Sequence, residues 1–399
     1  MDSQAEPEAG GARARPLTVM TAAALALVVA GVIYLRPAFL QSSGSPRTAG
    51  SALGPRPALA SMSWQSPRLG WITIADHVGP GHSWLYRTSD GGQHWQLLRR
   101  ETGRVMQVRF FDAHEGELSV WVEGNGHEPL PNLFLSADAG STWEPVPLPL
   151  PAASSPPSVE FLDRKHGWAA VSRVPGSMPT QLYLTADGGK HWEDAPDLPA
   201  PGQVWFADAQ HGWLSGHDPS GRPLLFETRD AGQHWQQLGL PPPGGGWTAD
   251  KVYFVESPTV LPSGLGALLV DAEPGGSDGP ARWLYVTHDG GDSWSGPAPP
   301  PGRASSLELG PGSTGSVSWW ATDGASAWFS LDQGTTWTAG TGVLPHGWQF
   351  VRIVPIGPST AWAQAVDLSV PGTQSPPWAL FRTSDRGGHW SRVRQPPAD

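Results

Sequence analysis

Seven aspartates recur along the chain, at Asp90, Asp138, Asp187, Asp230, Asp289, Asp332 and Asp385, spaced 43 to 59 residues apart. A carboxylate can ligate a hard cation, act with a second carboxylate in acid–base chemistry, or accept hydrogen bonds from its own loop. The surroundings favour the last. Each Asp is third in an eight-residue pattern: a hydroxyl residue, any residue, Asp, any residue, Gly, two further residues, Trp. The copies run from TSDGGQHW at 88–95 to TSDRGGHW at 383–390. A residue repeated in every unit serves every unit. The seven Asp are therefore read as turn acceptors, and Trp95, Trp143, Trp192, Trp235, Trp294, Trp337 and Trp390 as packing plates. No metal or cofactor is expected. With no Cys in 399 residues, thiolate metal sites, disulfides and a Cys nucleophile are excluded.

The chemistry that is not repeated lies between the units. A strand beginning near Gly-Trp is clearest in FLDRKHGWAAV (161–171) and WFADAQHGWLS (205–215). In six of seven units an acid follows it: Asp76, Glu123, Asp218, Asp271, Asp323 and Asp367, with Arg173 in the third unit. His77, His127, Glu128, His217, Glu273 and Asp278 flank them. If the Gly-Trp strands are the inner ones, these residues form a ring around one mouth of a central channel. That ring would suit a basic partner, or two of its carboxylates could serve glycoside hydrolysis.

The elements that must position these residues are short strands and turns. Gly (50) and Pro (43) are abundant, Trp numbers 22, and charged residues make up 15%. Gly and Pro are the poorest helix formers, so a turn-rich β protein is expected. Each unit reads as strand, turn, inner Gly-Trp strand, variable loop, strand, Asp-containing turn, strand. The length of a unit suits one four-stranded propeller blade, so residues 61–399 predict an all-β, seven-bladed propeller.

The seven turns resemble the Asp-box, or bacterial neuraminidase repeat, over the whole of 61–399. The Gly-Trp strand followed by a T-x-D-G-G-x-x-W hairpin is most similar to the photosystem II stability/assembly factor family and its bacterial relatives. Sialidases and sortilin-type receptors are more distant. The resemblance implies a non-catalytic scaffold that presents loop-built faces to another protein. Sialidase chemistry is not expected, because the Arg-Ile-Pro segment of that group is absent; Arg352-Ile353-Val354-Pro355 is late in the chain and off pattern. The alternative is an extracytoplasmic glycoside hydrolase or glycan-binding protein.

Residues 17–35 carry no charge. At 1.5 Å per residue they make about 28 Å of helix, enough to cross a hydrocarbon core. Arg13 and Arg15 precede the run and predict a cytoplasmic tail at 1–16, an anchor at 17–35 and an exported body. Residues 36–60 read as a Pro/Gly/Ser-rich linker. Ala58-Leu59-Ala60 is the nearest small-x-small cleavage signal, far downstream of the apolar run. Of 36 acids, three lie in residues 1–60 with five Arg, which leaves the body with 33 acids and a net charge of −13. Nucleic acid is excluded as a partner by that sign. An exported or membrane protein with a basic surface is expected instead.

Overall fold

The computed structural model describes residues 58–396 apart from 77–81, 103, 123–131, 149–157, 173–177, 249, 277–278, 303, 305, 312–316 and 371–375. The expected tail, anchor and most of the linker therefore lie outside the described residues. The rest forms seven antiparallel sheets, each a simple meander from one continuous stretch of chain. These are blades 1 to 7, spanning 58–102, 104–146, 158–194, 203–238, 252–298, 306–339 and 348–392. Blade 5 carries one additional two-residue strand, Thr259–Val260, beside its second strand. The protein is an all-β, seven-bladed propeller of four-stranded blades, as the repeats predict.

The first strand of each blade is innermost, which corrects the expectation that the Gly-Trp strand holds that place. The central cavity is walled by the first-strand regions of blades 1, 2, 3, 4, 5 and 7, including Ser63, Arg109, Glu160, Trp205, Thr259 and Val354. The Gly-Trp strand is second. Both strands are short and apolar, and local pattern does not distinguish radial position.

The Gly of the Gly-Trp pair has a physical cause. In blades 1 to 4 the aromatic ending the first strand lies directly opposite it: Trp64 on Gly70, Phe110 on Gly116, Phe161 on Gly167 and Phe206 on Gly212. A Cβ on Gly70 would stand 2.1 Å from the Trp64 ring, and one on Gly212 2.6 Å from Phe206. Only Gly lets the ring lie flat across the neighbouring backbone. The second-strand Trp of the preceding blade then covers the other face of that ring. Trp71 stacks on Phe110 at 3.6 Å and 9°, and Trp362 on Trp64 at 3.6 Å and 8°. Turn-motif Trp residues close the sandwich edge-on, as Trp95 does on Trp64 and Trp192 on Phe161, both at 6.1 Å and 72°.

Among the described residues no strand is exchanged between blades 1 and 7, and side chains close the ring. Leu59, Met62, Trp64 and Trp84 share one buried cluster with Trp362, Trp378 and Leu380. The Trp95 indole donates to the Arg394 carbonyl at 2.8 Å. The first strand begins at Ala58, three residues before the expected boundary, because Leu59 is buried and pairs with Ile74.

Candidate functional site

The repeated turn joins the third and fourth strands of every blade, and its hydrogen bonds are the same throughout. In blade 1 the Thr88 hydroxyl donates to Asp90 Oδ1 at 2.9 Å and accepts from Gly92 N–H at 2.9 Å. Asp90 Oδ1 also accepts from His94 N–H at 3.0 Å. The fifth-position Gly has φ from 77° to 100° in all seven copies, a conformation that excludes most side chains. Donation from the loop holds the carboxylates low: Asp187 at about 2 through the His191 backbone N–H, and Asp385 at about 2 through the His389 side chain. These seven Asp are hydrogen-bond acceptors within their own turns.

The loops joining second and third strands emerge at the opposite face. Of the expected ring there, Glu123 and Arg173 lie outside the described residues, as do His77, His127, Glu128 and Asp278. The five described acids each bond within their own blade. Asp76 accepts from His82 N–H at 2.7 Å. Asp218 accepts from the backbone N–H of Ser220 and Arg222, and the Ser220 hydroxyl leads in holding its carboxyl at about 2. Asp323 accepts from Ala325 and Ser326 N–H, and Asp367 from Ser369 N–H. Asp271 faces Arg282 directly across two strands and is clamped by its guanidinium, which also holds Glu256 at 2.9 Å. No described hydrogen bond or ion pair joins two of these five acids. They lie in second strands or directly after them, and none of the five lines the central cavity.

The structure brings together a different set that the sequence reading did not single out. Glu117 occupies the slot filled by Trp71, Trp168, Trp213, Trp320 and Trp362 in five other blades. It is buried between blades 2 and 3, with Glu160 of the adjacent first strand also buried. Arg109 lies directly opposite Glu117, and its Nε donates to Glu117 Oε1 at 2.9 Å. Glu117 Oε2 accepts from Phe161 N–H at 3.1 Å, and a further Arg109 N–H donates to the Phe161 carbonyl. Arg109 NH1 stands 3.9 Å from Glu160 Oε2. Burial raises both carboxyls against the pull of Arg109, and it carries Glu160 to about 7. All three side chains line the central cavity, whose volume is about 490 Å³. A buried carboxyl poised near neutrality can give or take a proton, or receive a cation. The signal in the sequence was the departure of Gly116-Glu117 from Gly-Trp. Among the described residues, no group of three or more His, Asp or Glu is arranged to hold a metal ion.

Fold and turns together define a class: a seven-bladed propeller whose blades are each fastened by an Asp-bearing turn. No family model matches the chain. Over 183 residues the chain is 27% identical to the photosystem II assembly lipoprotein Ycf48 of Synechococcus sp. (strain CC9902), covering 44% of this chain and 46% of that protein. The match thus spans less than half the length of that relative. A solved YCF48 bound to D1 peptide superposes with a TM-score of 0.52 at 17% identity, covering 83% of this chain and 94% of that one. The propeller domain of the Trilobed protease from Pyrococcus furiosus gives 0.52 at 8%, covering 85% and 98%. The expected similarity to the photosystem II assembly group is present in the sequence. The solved structures, at these identities, establish the shared fold.

Proposed function

We propose that the chain is a non-catalytic scaffold of the assembly-factor kind, built on Asp-box repeats. It is held at a membrane by residues 17–35, with the propeller outside the cytoplasm, and binds an exported or membrane protein. The observation that carries this is the 27% identity over 183 residues to a photosystem II assembly lipoprotein. That a chain of the same fold was solved with a peptide bound supports a protein ligand. Photosystem II is the target implied by the relative's name; the reading for this chain is the broader one, an assembly partner in the same membrane.

Proximity crosslinking of the full-length protein in its native membrane tests the proposal. One exported or membrane protein should be enriched over a control propeller tethered by the same anchor. Recovery of the same proteins by both, or turnover of aryl-glycosides by the purified chain, would overturn it.

A further inference from the structure

The first strands of blades 2, 3 and 4 place three unlike side chains at one register level. Arg109, Glu160 and Trp205 each lie opposite the second-strand slot held by Glu117, Trp168 and Trp213. All three line the central cavity. Their hydrogen bonding is unequal. Glu117 is satisfied by Arg109 at 2.9 Å and by Phe161 N–H at 3.1 Å. Glu160 is 7% exposed and accepts no hydrogen bond among the described residues; its nearest cation is Arg109 NH1 at 3.9 Å. Buried carboxylates are ordinarily supplied with donors, because an unmet one pays the desolvation penalty without compensation. The one Arg in reach is already engaged by Glu117, so the trio with both carboxyls ionised carries one excess negative charge. Half-buried Trp205, on the next first strand, adds an aromatic ring to the same wall.

We propose that the channel wall at Glu160 and Trp205 is a binding site for one organic cation, an ammonium or guanidinium head group with an apolar stem. Glu160 receives the N–H donors and Trp205 packs on the stem or beneath the charge. A divalent metal ion fits the wall poorly. It would share the pocket with the Arg109 guanidinium and find one free carboxylate, since Glu117 is occupied. The charged groups on the elements around Glu160 are Arg109 and Glu117 of blade 2, and across the cavity Arg352 of blade 7, which is paired with Glu308 at 2.7 Å. The head group can arrive on a Lys or Arg side chain of a bound protein or on a free small molecule. The first source rests on the scaffold reading; the site itself does not.

The test is calorimetric titration of the full-length protein with ethylguanidinium, butylammonium, the peptide acetyl-Gly-Arg-Gly-amide and calcium chloride. Measurement at neutral pH in two buffers of different ionisation enthalpy counts the protons released. The organic cations should bind with proton release, because Glu160 must ionise to receive them. Glu160→Gln, isosteric and neutral, should weaken them by about tenfold or more and abolish the release. Trp205→Leu should weaken binding without changing the proton count, and it serves as the second variant if the first does not fold. Tighter binding of the peptide than of ethylguanidinium assigns the site to a partner side chain, and the reverse assigns it to a free cation. No binding of any organic cation, tighter binding of calcium, or unchanged binding in both variants would overturn the proposal. Because the small cations need no partner, failure here is distinct from failure of the crosslinking.

Discussion

Replacing Trp64 by Ala should open the propeller at one seam. The chain itself crosses every other boundary between neighbouring blades, but among the described residues the boundary between blades 7 and 1 is held by side chains alone. Trp64 is its centre: 7% exposed, stacked on Trp362 at 3.6 Å and 8°, and met edge-on by Trp95. Truncating a buried Trp to Ala costs about 3–5 kcal/mol. The stacked pair places this site toward the upper end of that range. The population of the form open at this seam should rise about 10²- to 10³-fold or more. Hydrogen exchange with mass spectrometry reads it locally. Strands Ala58–Trp64 and Ala361–Asp367 should exchange much faster in the variant, while Gly167–Val171 in blade 3 keeps its protection. Trp71→Ala is the matched control, since Trp71 makes the same stack on Phe110 at 3.6 Å across a seam the chain crosses. It should lower the denaturant midpoint without a separate opening of blades 1 and 2. Uniform loss of protection in Trp64→Ala, or the same local opening in both variants, would refute the idea that closure is the weak seam.

Thr88→Val removes the acceptor of the Gly92 N–H inside blade 1, and should destabilise the fold by about 1–3 kcal/mol in urea titrations. Ala139, Ala231, Gln333 and Arg386 hold the fourth turn position at φ of 57° to 63°, where the other three copies have Gly. Gln333→Gly should relieve left-handed strain and raise the melting temperature slightly, with a net gain below about 1 kcal/mol. Asp187 and Asp385 are depressed to about 2 in the folded state, chiefly by the His191 N–H and the His389 side chain respectively. Their contribution is therefore present above the unfolded value of about 3.9 and lost as pH falls through about 2, which an acid titration followed by tryptophan fluorescence should show. Glu160 has the opposite sign. Its carboxyl, raised by burial to about 7, binds a proton that the unfolded chain has released, so stability declines as pH rises from about 4.3 towards 7. Glu160→Gln should flatten that part of the stability–pH curve.

Blade number, the order of strands and turns within a blade and the turn chemistry were legible because they repeat. Seven full matches leave little freedom in TSDGGQHW and its copies, and each matched position has the bonding expected of it. Radial order was not legible. Whether SVEF at 158–161 or GWAAV at 167–171 lines the channel depends on how seven sheets pack, and both segments are short and largely buried. The described acids of the expected ring show a related effect. Asp76, Asp218, Asp323 and Asp367 follow second strands because an Asp there can accept its loop's N–H groups, a local cause that mimics convergence on a site. The Arg109–Glu117–Glu160 cluster was hidden by the opposite effect. Each of the three occurs once, in an ordinary-looking strand, and only register places them together.

The same distinction reassigns the acidity of the body. Fourteen of its aspartates accept a backbone N–H in a turn: the seven of the repeated motif, four after second strands, and Asp112, Asp163 and Asp208 between first and second strands. The first and third of these groups sit at one face of the propeller and the second at the other. The charge of −13 is thus in large part a consequence of turn chemistry distributed over both faces, not a patch built for a partner. Reversing Asp218 or Asp271 would then report on loop integrity before it reported on recognition. Positions where a blade departs from the repeat carry more information, because the fold does not require them. Glu117→Trp restores the residue found in five other blades and removes the carboxylate that engages Arg109. If folding alone shaped that position, the variant should melt at or above wild type. On the site proposed here, Arg109 would then be free to pair with Glu160, and ethylguanidinium binding should be lost while the propeller stays intact.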